Sequence, residues 1–158
     1  MDVKRWLPLG LFLVLAFAAA AIGGLATAST VQTWYPGLRK PDWAPPNGIF
    51  GPVWTLLYIT MAVSTWRVWK LGDPLSSRRT VSLYSAQLTL NALWSILFFG
   101  LRQPGLALLD IVVLWFVLLW ILRRFCRLDR VAAWMWLLYV VWVSFAVALN
   151  WTIWSLNR

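Results

Sequence analysis

The sequence predicts an all-α integral membrane protein, a bundle of five transmembrane helices with a structured, proline-rich first loop. Two observations carry this prediction. Of the 158 residues, 61% are hydrophobic and only 12% are charged, whereas a water-soluble domain carries about 25% charged residues. The hydrophobic residues also fall into five long runs, each close to the roughly 20 residues that cross a bilayer as a helix. This distribution argues against a soluble globular enzyme.

The five runs divide a single domain that extends over residues 1–158. The first run, residues 6–29, is longer than the apolar core of about 7–15 residues in a signal peptide, so we expect a retained span. The other spans are predicted at residues 48–69, 81–100, 105–122 and 131–154. Residues 30–47 form the one long connection between them.

Residue counts exclude several kinds of chemistry. The chain has no histidine and a single cysteine, Cys126, which rules out an imidazole base, a histidine-ligated metal or haem, and an intrachain disulfide. We therefore expect no metal site and no obligatory cofactor. The net charge of +9 is not accompanied by a nucleic-acid-binding motif, so no nucleic acid partner is expected.

The lysines and arginines predict the orientation in the lipid bilayer. With alternating spans, ten of them fall at the end that holds the N-terminus and four at the opposite end. Positive residues concentrate on the cytoplasmic side of inner membranes. We therefore favour a bacterial cell membrane with a cytoplasmic N-terminus; the alternative is an outer membrane, bacterial or mitochondrial. The four residues at the far end are Arg39, Lys40, Arg102 and Arg158.

The chain has fourteen tryptophans, more than an aromatic belt at the membrane surface requires. Such a belt accounts for Trp6, Trp66, Trp69, Trp134, Trp136 and Trp154. Four others lie inside their predicted spans and need a different role: Trp54, Trp94, Trp115 and Trp142.

Polar and aromatic residues inside the spans converge at one depth, in the half of the bundle near the first loop. Polar side chains are costly in hydrocarbon and normally face a bundle interior or cavity, although a single one often serves only a hydrogen bond between helices. For the whole set we favour a cavity lined by indole rings, suited to a flat apolar ligand with a few polar anchors. Helical spacing places two stripes there: Gln87, Asn91 and Trp94 on span three, and Tyr139, Trp142, Ala146 and Asn150 on span five.

Two further features have competing interpretations. Asp110 either hydrogen-bonds a ligand or a neighbouring helix, or simply accepts bonds near the mouth of its span. On span one, Ala16, Ala20, Gly24 and Ala28 recur every four residues. Small residues at this spacing let helices approach closely, so we predict a packing face rather than a ligand contact.

The first loop contains four prolines between Thr30 and Asn47, which restrict its backbone. Its aromatic residues Trp34, Tyr35 and Trp43 are poorly suited to a freely solvated loop. We predict that the loop is a lid over the cavity; the alternative is a rigid linker whose aromatic rings rest among lipid headgroups.

Several segments resemble the TspO/MBR family, which comprises the tryptophan-rich sensory proteins and the translocator protein, or peripheral benzodiazepine receptor. They are W-Y-P-G-L-R-K-P-D-W-A-P-P from Trp34, F-G-P-V-W-T-L-L-Y from Phe50, A-Q-L-T-L-N-A-L-W from Ala86, F-F-G-L-R-Q from Phe98, A-L-L-D from Ala107 and W-V-S-F-A-V-A-L-N-W from Trp142. The resemblance implies a five-helix bundle, commonly a homodimer, with a pocket beneath the first loop. It also implies porphyrin ligands such as protoporphyrin IX, together with synthetic isoquinoline carboxamides.

The resemblance and the depth argument together give a candidate ligand-binding set: Trp34, Tyr35, Pro45, Trp54, Asn91, Trp94, Asp110, Trp142, Ala146 and Asn150. Animal members of the family bind cholesterol through a pattern with a central tyrosine. Trp151 stands at that position here, and the pattern is weak even when complete, so cholesterol is a doubtful ligand.

Three functions are therefore considered. The first is porphyrin binding for tetrapyrrole sensing, transport or sequestration, with propionates near Arg39 and Lys40. The second is light-dependent porphyrin degradation, with Trp54 and Trp142 as the catalytic, reactive indoles. The third, transport of small hydrophobic compounds, ranks last because the chain lacks the repeat signature of many transporters.

Overall fold

A computed structural model describes residues 3–71 and 74–158, and it confirms the predicted fold class. Five helices in it have the length and hydropathy of membrane spans, and the chain is a multi-pass integral membrane protein. The side chains of Lys4 and Arg5, which entered the charge count, lie outside the described residues. The five helices are α1 (Val3–Ala28), α2 (Phe50–Trp69), α3 (Pro74–Ser95), α4 (Pro104–Leu128) and α5 (Arg130–Leu156).

Two helices extend beyond the apolar runs from which their spans were predicted. α3 begins at Pro74 and already contains Arg78 and Arg79, while α4 continues through Arg123 to Leu128. Long basic side chains keep their heads in water while their stems cover apolar surface. Helical structure therefore continues where the apolar pattern ends.

The helices form a closed ring in the order α1, α2, α5, α4, α3, because each of these packs against the next and α3 packs against α1. Successive helices run in opposite directions. One end of the ring, which we call the basic end, holds the starts of α1, α3 and α5. The other end, the lid end, holds the starts of α2 and α4 and lies beside the first loop.

Aromatic side chains fill the basic end. Phe12 of α1 meets Tyr84 of α3 edge-on at 5.1 Å between ring centroids, and the Tyr84 hydroxyl donates to the Phe12 carbonyl at 2.9 Å. Trp136 is fully buried and donates its indole N–H to the Leu118 carbonyl at 3.2 Å. The assignment of Trp66 and Trp136 to an interfacial belt was wrong, because both rings are buried in the core.

Asp129, which directly follows α4, links the start of α5 to α2 at the basic end. Its Oδ1 accepts hydrogen bonds from the backbone N–H groups of Val131 at 2.8 Å and Ala132 at 3.1 Å, which caps the start of α5. Its Oδ2 accepts from Arg67 of α2 at 2.9 Å. Burial opposes ionisation, but these hydrogen bonds and the Arg67 charge outweigh it and lower the pKa of Asp129.

A π-helical turn, Ile96–Gly100, continues α3 at the lid end. After it, Arg102 adopts a left-handed backbone with φ of 56°, and the Gln103 N–H returns to the Leu97 carbonyl at 2.9 Å. The Phe99 carbonyl within this turn accepts a hydrogen bond from the Thr30 hydroxyl at 3.0 Å. The π-turn thereby fixes the start of the first loop against α3.

Candidate ligand-binding cavity

A cavity of about 480 Å³ occupies the lid end, within the range of about 300–1,000 Å³ that is usual for small-molecule sites. Its walls come from α1, α2, α3 with its π-turn, α5 and the first loop, and they are mainly apolar. α4 supplies none of the lining residues in the described part of the chain. The cavity is therefore bounded by four helices, and the first loop adds Val31, Tyr35 and Asn47 to its lining.

Three indole rings from three different helices line this cavity: Trp54 of α2, Trp94 of α3 and Trp142 of α5. Trp94 stacks on Phe98 at 5.2 Å with 28° between the ring planes. Trp142 meets Phe50 edge-on at 6.0 Å. These contacts fix the ring orientations, so the cavity presents ordered aromatic faces.

Polar groups at the cavity wall are already paired with one another. The Tyr58 hydroxyl donates to Asn91 Oδ1 at 2.6 Å, and Asn91 Nδ2 donates to the Tyr139 hydroxyl at 3.0 Å. The Trp94 indole N–H donates to Asn150 Oδ1 at 2.9 Å, and Asn150 Nδ2 donates to the Pro104 carbonyl at 2.9 Å. Since buried polar groups are costly when unpaired, these bonds stabilise the wall, and a ligand gains mainly from burial of its apolar faces.

The small residues of α1 create space in the cavity. The predicted packing face holds at Ala16, which is fully buried, and at Ala20, which packs against the core and also borders the cavity. It is wrong for Gly24 and Ala28, which are exposed and line the cavity. A β-carbon added at Gly24 would meet no described neighbour within 4 Å, whereas one added at Gly23 would lie 3.0 Å from Ser95 Oγ. Gly23 is thus the close-packing position, and Gly24 leaves room.

The cavity is not fully enclosed. Exposed residues of its lining lie on α1 and α2: Phe17, Gly24 and Ala28 of α1, and Gly51 and Thr55 of α2. Both helices have the length and hydropathy of membrane spans, so this side of the cavity is built from membrane-spanning segments.

The first half of the loop packs onto the π-turn. Tyr35 is buried, lines the cavity and lies 5.6 Å from the Phe99 ring. Burial raises the pKa of the Tyr35 hydroxyl, which therefore remains a neutral hydrogen-bonding group. Trp34 meets Phe98 edge-on at 5.8 Å without reaching the cavity lining.

Lys40 binds the backbone of the first loop. Its ammonium donates to the carbonyls of Tyr35, Pro36 and Leu38 at 2.9, 3.3 and 3.2 Å, and it lies 4.7 Å from the centre of the Tyr35 ring. An ammonium has three donors, and all three are occupied here. Its charge therefore stabilises the turn at Tyr35–Gly37, and the placement of a ligand propionate near Lys40 stays a prediction.

Of the ten predicted ligand-binding residues, seven line the cavity and three do not. Trp34 and Pro45 belong to the loop outside the lining. Asp110 is buried on α4, and neither of its carboxylate oxygens has a hydrogen-bond partner among the described residues. The seven that line it are Tyr35, Trp54, Asn91, Trp94, Trp142, Ala146 and Asn150.

Trp115, the fourth tryptophan inside a predicted span, has a role outside the cavity. Its indole N–H donates to Ser144 Oγ on α5 at 2.8 Å, and it has no place in the lining. Residues missed from the sequence include Phe17, Phe50, Tyr58 and Phe98. Tyr58 and Phe98 follow Trp54 and Trp94 by four positions, so helical spacing contained a signal for both.

The described residues contain no group of three or more His, Cys, Asp or Glu side chains that could hold a metal ion. The arrangement is suited to holding a flat apolar molecule between aromatic faces. Such a fold and site define a class of five-helix membrane proteins with an aromatic cavity that the first loop helps to line.

Comparison with known proteins places the chain within that class. The model of the TspO/MBR family matches residues 12–155. The chain is 42% identical over 135 residues to the tryptophan-rich protein TspO of Archaeoglobus fulgidus, covering 85% of this chain and 87% of that one. It is 37% identical to the protein of the same description from Chlorobaculum tepidum, covering 98% of each chain.

Similarity extends to animal proteins. The human translocator protein is 32% identical over 155 residues, which cover 97% of this chain and 92% of the human one. The chain belongs to the TspO/MBR family.

Proposed function

We propose that the protein is a membrane-embedded binding protein for porphyrins such as protoporphyrin IX, and for other flat hydrophobic ligands. Its role would be tetrapyrrole sensing, transport or sequestration. The observation that carries the proposal is the convergence of Trp54, Trp94 and Trp142, from three helices, on one cavity of about 480 Å³. Large aromatic faces stack favourably on other aromatic systems.

The chemistry of a metal-free porphyrin fits this site. Its ring needs no axial ligand, which suits a chain without histidine. Its propionates need a polar exit, and the lid end provides one at the exposed loop, where Arg39 lies on the surface. We infer that a ligand that partitions into lipid enters between α1 and α2, where lining residues are exposed.

Light-dependent porphyrin degradation is the second candidate function. Trp54 and Trp142 both line the cavity, so a bound porphyrin would lie against electron-rich indoles. Trp54 also contacts Tyr58 at 5.6 Å and Tyr139 at 6.2 Å between ring centroids. This aromatic cluster favours Trp54 as an electron donor to an excited ligand.

Replacing Trp142 with phenylalanine tests binding against photochemistry. Phenylalanine keeps an aromatic face but is much harder to oxidise. Trp142→Phe should therefore lose only about 1 kcal/mol of protoporphyrin IX affinity, the scale of one aromatic pair, as measured by fluorescence titration. Trp120→Phe, at a lipid-facing position that is 60% exposed, is the matched control. Equal light-dependent loss of the porphyrin spectrum in both variants and the wild type would leave only the binding function.

We also propose that the N-terminus is cytoplasmic, on the strength of the ten-to-four distribution of lysine and arginine. A cysteine placed at Asn47, in a Cys126→Ser background, tests the orientation. Membrane-impermeant maleimide should label it from the side opposite the cytoplasm, and labelling from the cytoplasmic side alone would reverse the assignment. The homodimer implied by the family resemblance is a further proposal, to be tested by sedimentation in detergent.

A further inference from the structure

Asn157, the residue that follows α5, forms a two-bond pair with the backbone of the first loop. Its Oδ1 accepts from the Arg39 N–H at 3.0 Å, and its Nδ2 donates to the Arg39 carbonyl at 2.9 Å. The same Nδ2 also donates to the Ile153 carbonyl in the last turn of α5, at 2.7 Å. One side chain thus links two segments that are 118 residues apart in sequence.

The pair lies where the first loop meets the end of α5. Among the described residues it is the one hydrogen-bonded link between the loop and α5. α5 carries Trp142, Ala146 and Asn150 of the cavity wall. Farther along the loop, Trp43 rests against Phe145 of α5 at 5.7 Å. The contact at Arg39 therefore ties the loop, whose Val31, Tyr35 and Asn47 line the cavity, to the helix that forms this wall.

We propose that Asn157 is a positioning residue, a latch that keeps the first loop over the cavity and slows ligand release. The effect on ligand release rests on the proposed binding function. The link between Asn157 and the loop does not depend on it. The pair is solvent-exposed, and hydrogen bonds that exchange with water contribute modestly. The latch is therefore weak enough to open reversibly.

Hydrogen exchange tests the latch without any ligand, by measuring protection of the Arg39 amide, which donates directly to Asn157. In Asn157→Ala this protection should fall about tenfold, a factor within the range expected for two modest hydrogen bonds, and the rest of the loop should exchange faster. Amides in the middle of α5 should be unchanged. Equal protection of the Arg39 amide in wild type and variant overturns the latch.

Two control variants separate the latch from general loosening of the helix end. Ser155→Ala removes a hydroxyl that bonds only to Thr152 of the same helix, and it should leave loop exchange unchanged. Arg39→Ala removes the loop cation but keeps both backbone partners of Asn157, so its loop protection should match wild type. If Ser155→Ala loosens the loop as much as Asn157→Ala, the effect belongs to the helix end and the latch is overturned.

Dissociation of protoporphyrin IX then tests the consequence for the site. Asn157→Ala should release the porphyrin several-fold faster than wild type or Ser155→Ala, because opening of a lid commonly limits release. If wild type binds no porphyrin while Asn157→Ala still loosens the loop, the proposed function fails and the latch stands. If porphyrin binds and leaves equally fast from all three proteins, the latch does not control release.

Discussion

The two ends of the bundle use similar side chains for opposite purposes. At the basic end, Phe12, Tyr84 and Trp136 are buried in the core, and a void of about 10 Å³ beside Tyr84 and Trp136 is too small for a ligand. At the lid end, Trp54, Trp94 and Trp142 surround about 480 Å³. Aromatic richness alone does not distinguish a core from a binding site.

The difference arises largely from α1. It places Phe12, which is 2% exposed, into the core at the basic end, but it presents Ala20, Gly24 and Ala28 to the cavity at the lid end. A protein interior closes around large side chains at close to crystal density. Small side chains along about two turns of one helix leave space that the surrounding aromatic residues do not fill.

Truncation of one tryptophan at each end should give the largest contrast. Trp136→Ala removes a fully buried ring and its bond to Leu118, so it should cost about 3–5 kcal/mol of unfolding free energy. Trp142→Ala enlarges an existing cavity and should cost about 1 kcal/mol of stability while weakening porphyrin binding strongly. Denaturant titration in detergent measures both, and equal stability losses would contradict the division into packed and open ends.

A smaller effect is expected at Asp129, which secures the basic end. Asp129→Ala removes the cap of α5 and the partner of Arg67, at a cost of about 1–2 kcal/mol near neutral pH. Asp42→Ala, at an exposed loop position, should have no effect on thermal stability.

The lowered pKa of Asp129 also sets the pH dependence of this contribution. A carboxyl whose pKa is lowered by folding stabilises the protein fully above its ordinary pKa of about 3.9 and loses that contribution as pH falls through the folded value. The stability difference between wild type and Asp129→Ala should therefore shrink below about pH 4. A difference that stays constant in acid would mean that Asp129 acts without its charge.

The smallest effect concerns the turn that leads from α3 to α4 at the lid end. Arg102 has φ of 56°, where a β-branched residue is strongly disfavoured. Arg102→Thr should therefore lower the melting temperature, by the equivalent of about 1 kcal/mol. Arg102→Gly should leave it nearly unchanged, because relief of strain offsets the greater freedom of the unfolded chain. The reverse order would contradict the left-handed turn.

Much of the site was predictable, because polar residues inside apolar runs are rare enough to be informative. Asn91, Trp94, Trp142 and Asn150 followed from depth and helical spacing, and the structure brings them to one cavity. The small-residue stripe of α1 was partly misassigned for a physical reason. A stripe of alanine and glycine looks the same in the sequence whether it faces a neighbouring helix or an empty cavity. Which of the two it faces depends on the positions of α2 and α3.

Burial near a membrane surface was equally hard to predict. Trp66 and Trp136 occur close to the ends of their spans, where a belt residue and a core residue have the same sequence position. The structure separates them from Trp134, which is 68% exposed. Likewise the role of Lys40 depends on a short local turn that brings three carbonyls to one ammonium, which composition does not reveal.

Filling the cavity from α1 tests the central claim most directly. Gly24 and Gly10 lie on the same helix, and a β-carbon at either would meet no described neighbour within 4 Å, but only Gly24 lines the cavity. In a titration with protoporphyrin IX followed by tryptophan quenching, Gly24→Leu should weaken binding more than tenfold, while Gly10→Leu should match wild type with saturable binding. Equal affinity of Gly24→Leu and Gly10→Leu for protoporphyrin IX would contradict the assignment of the cavity as the binding site.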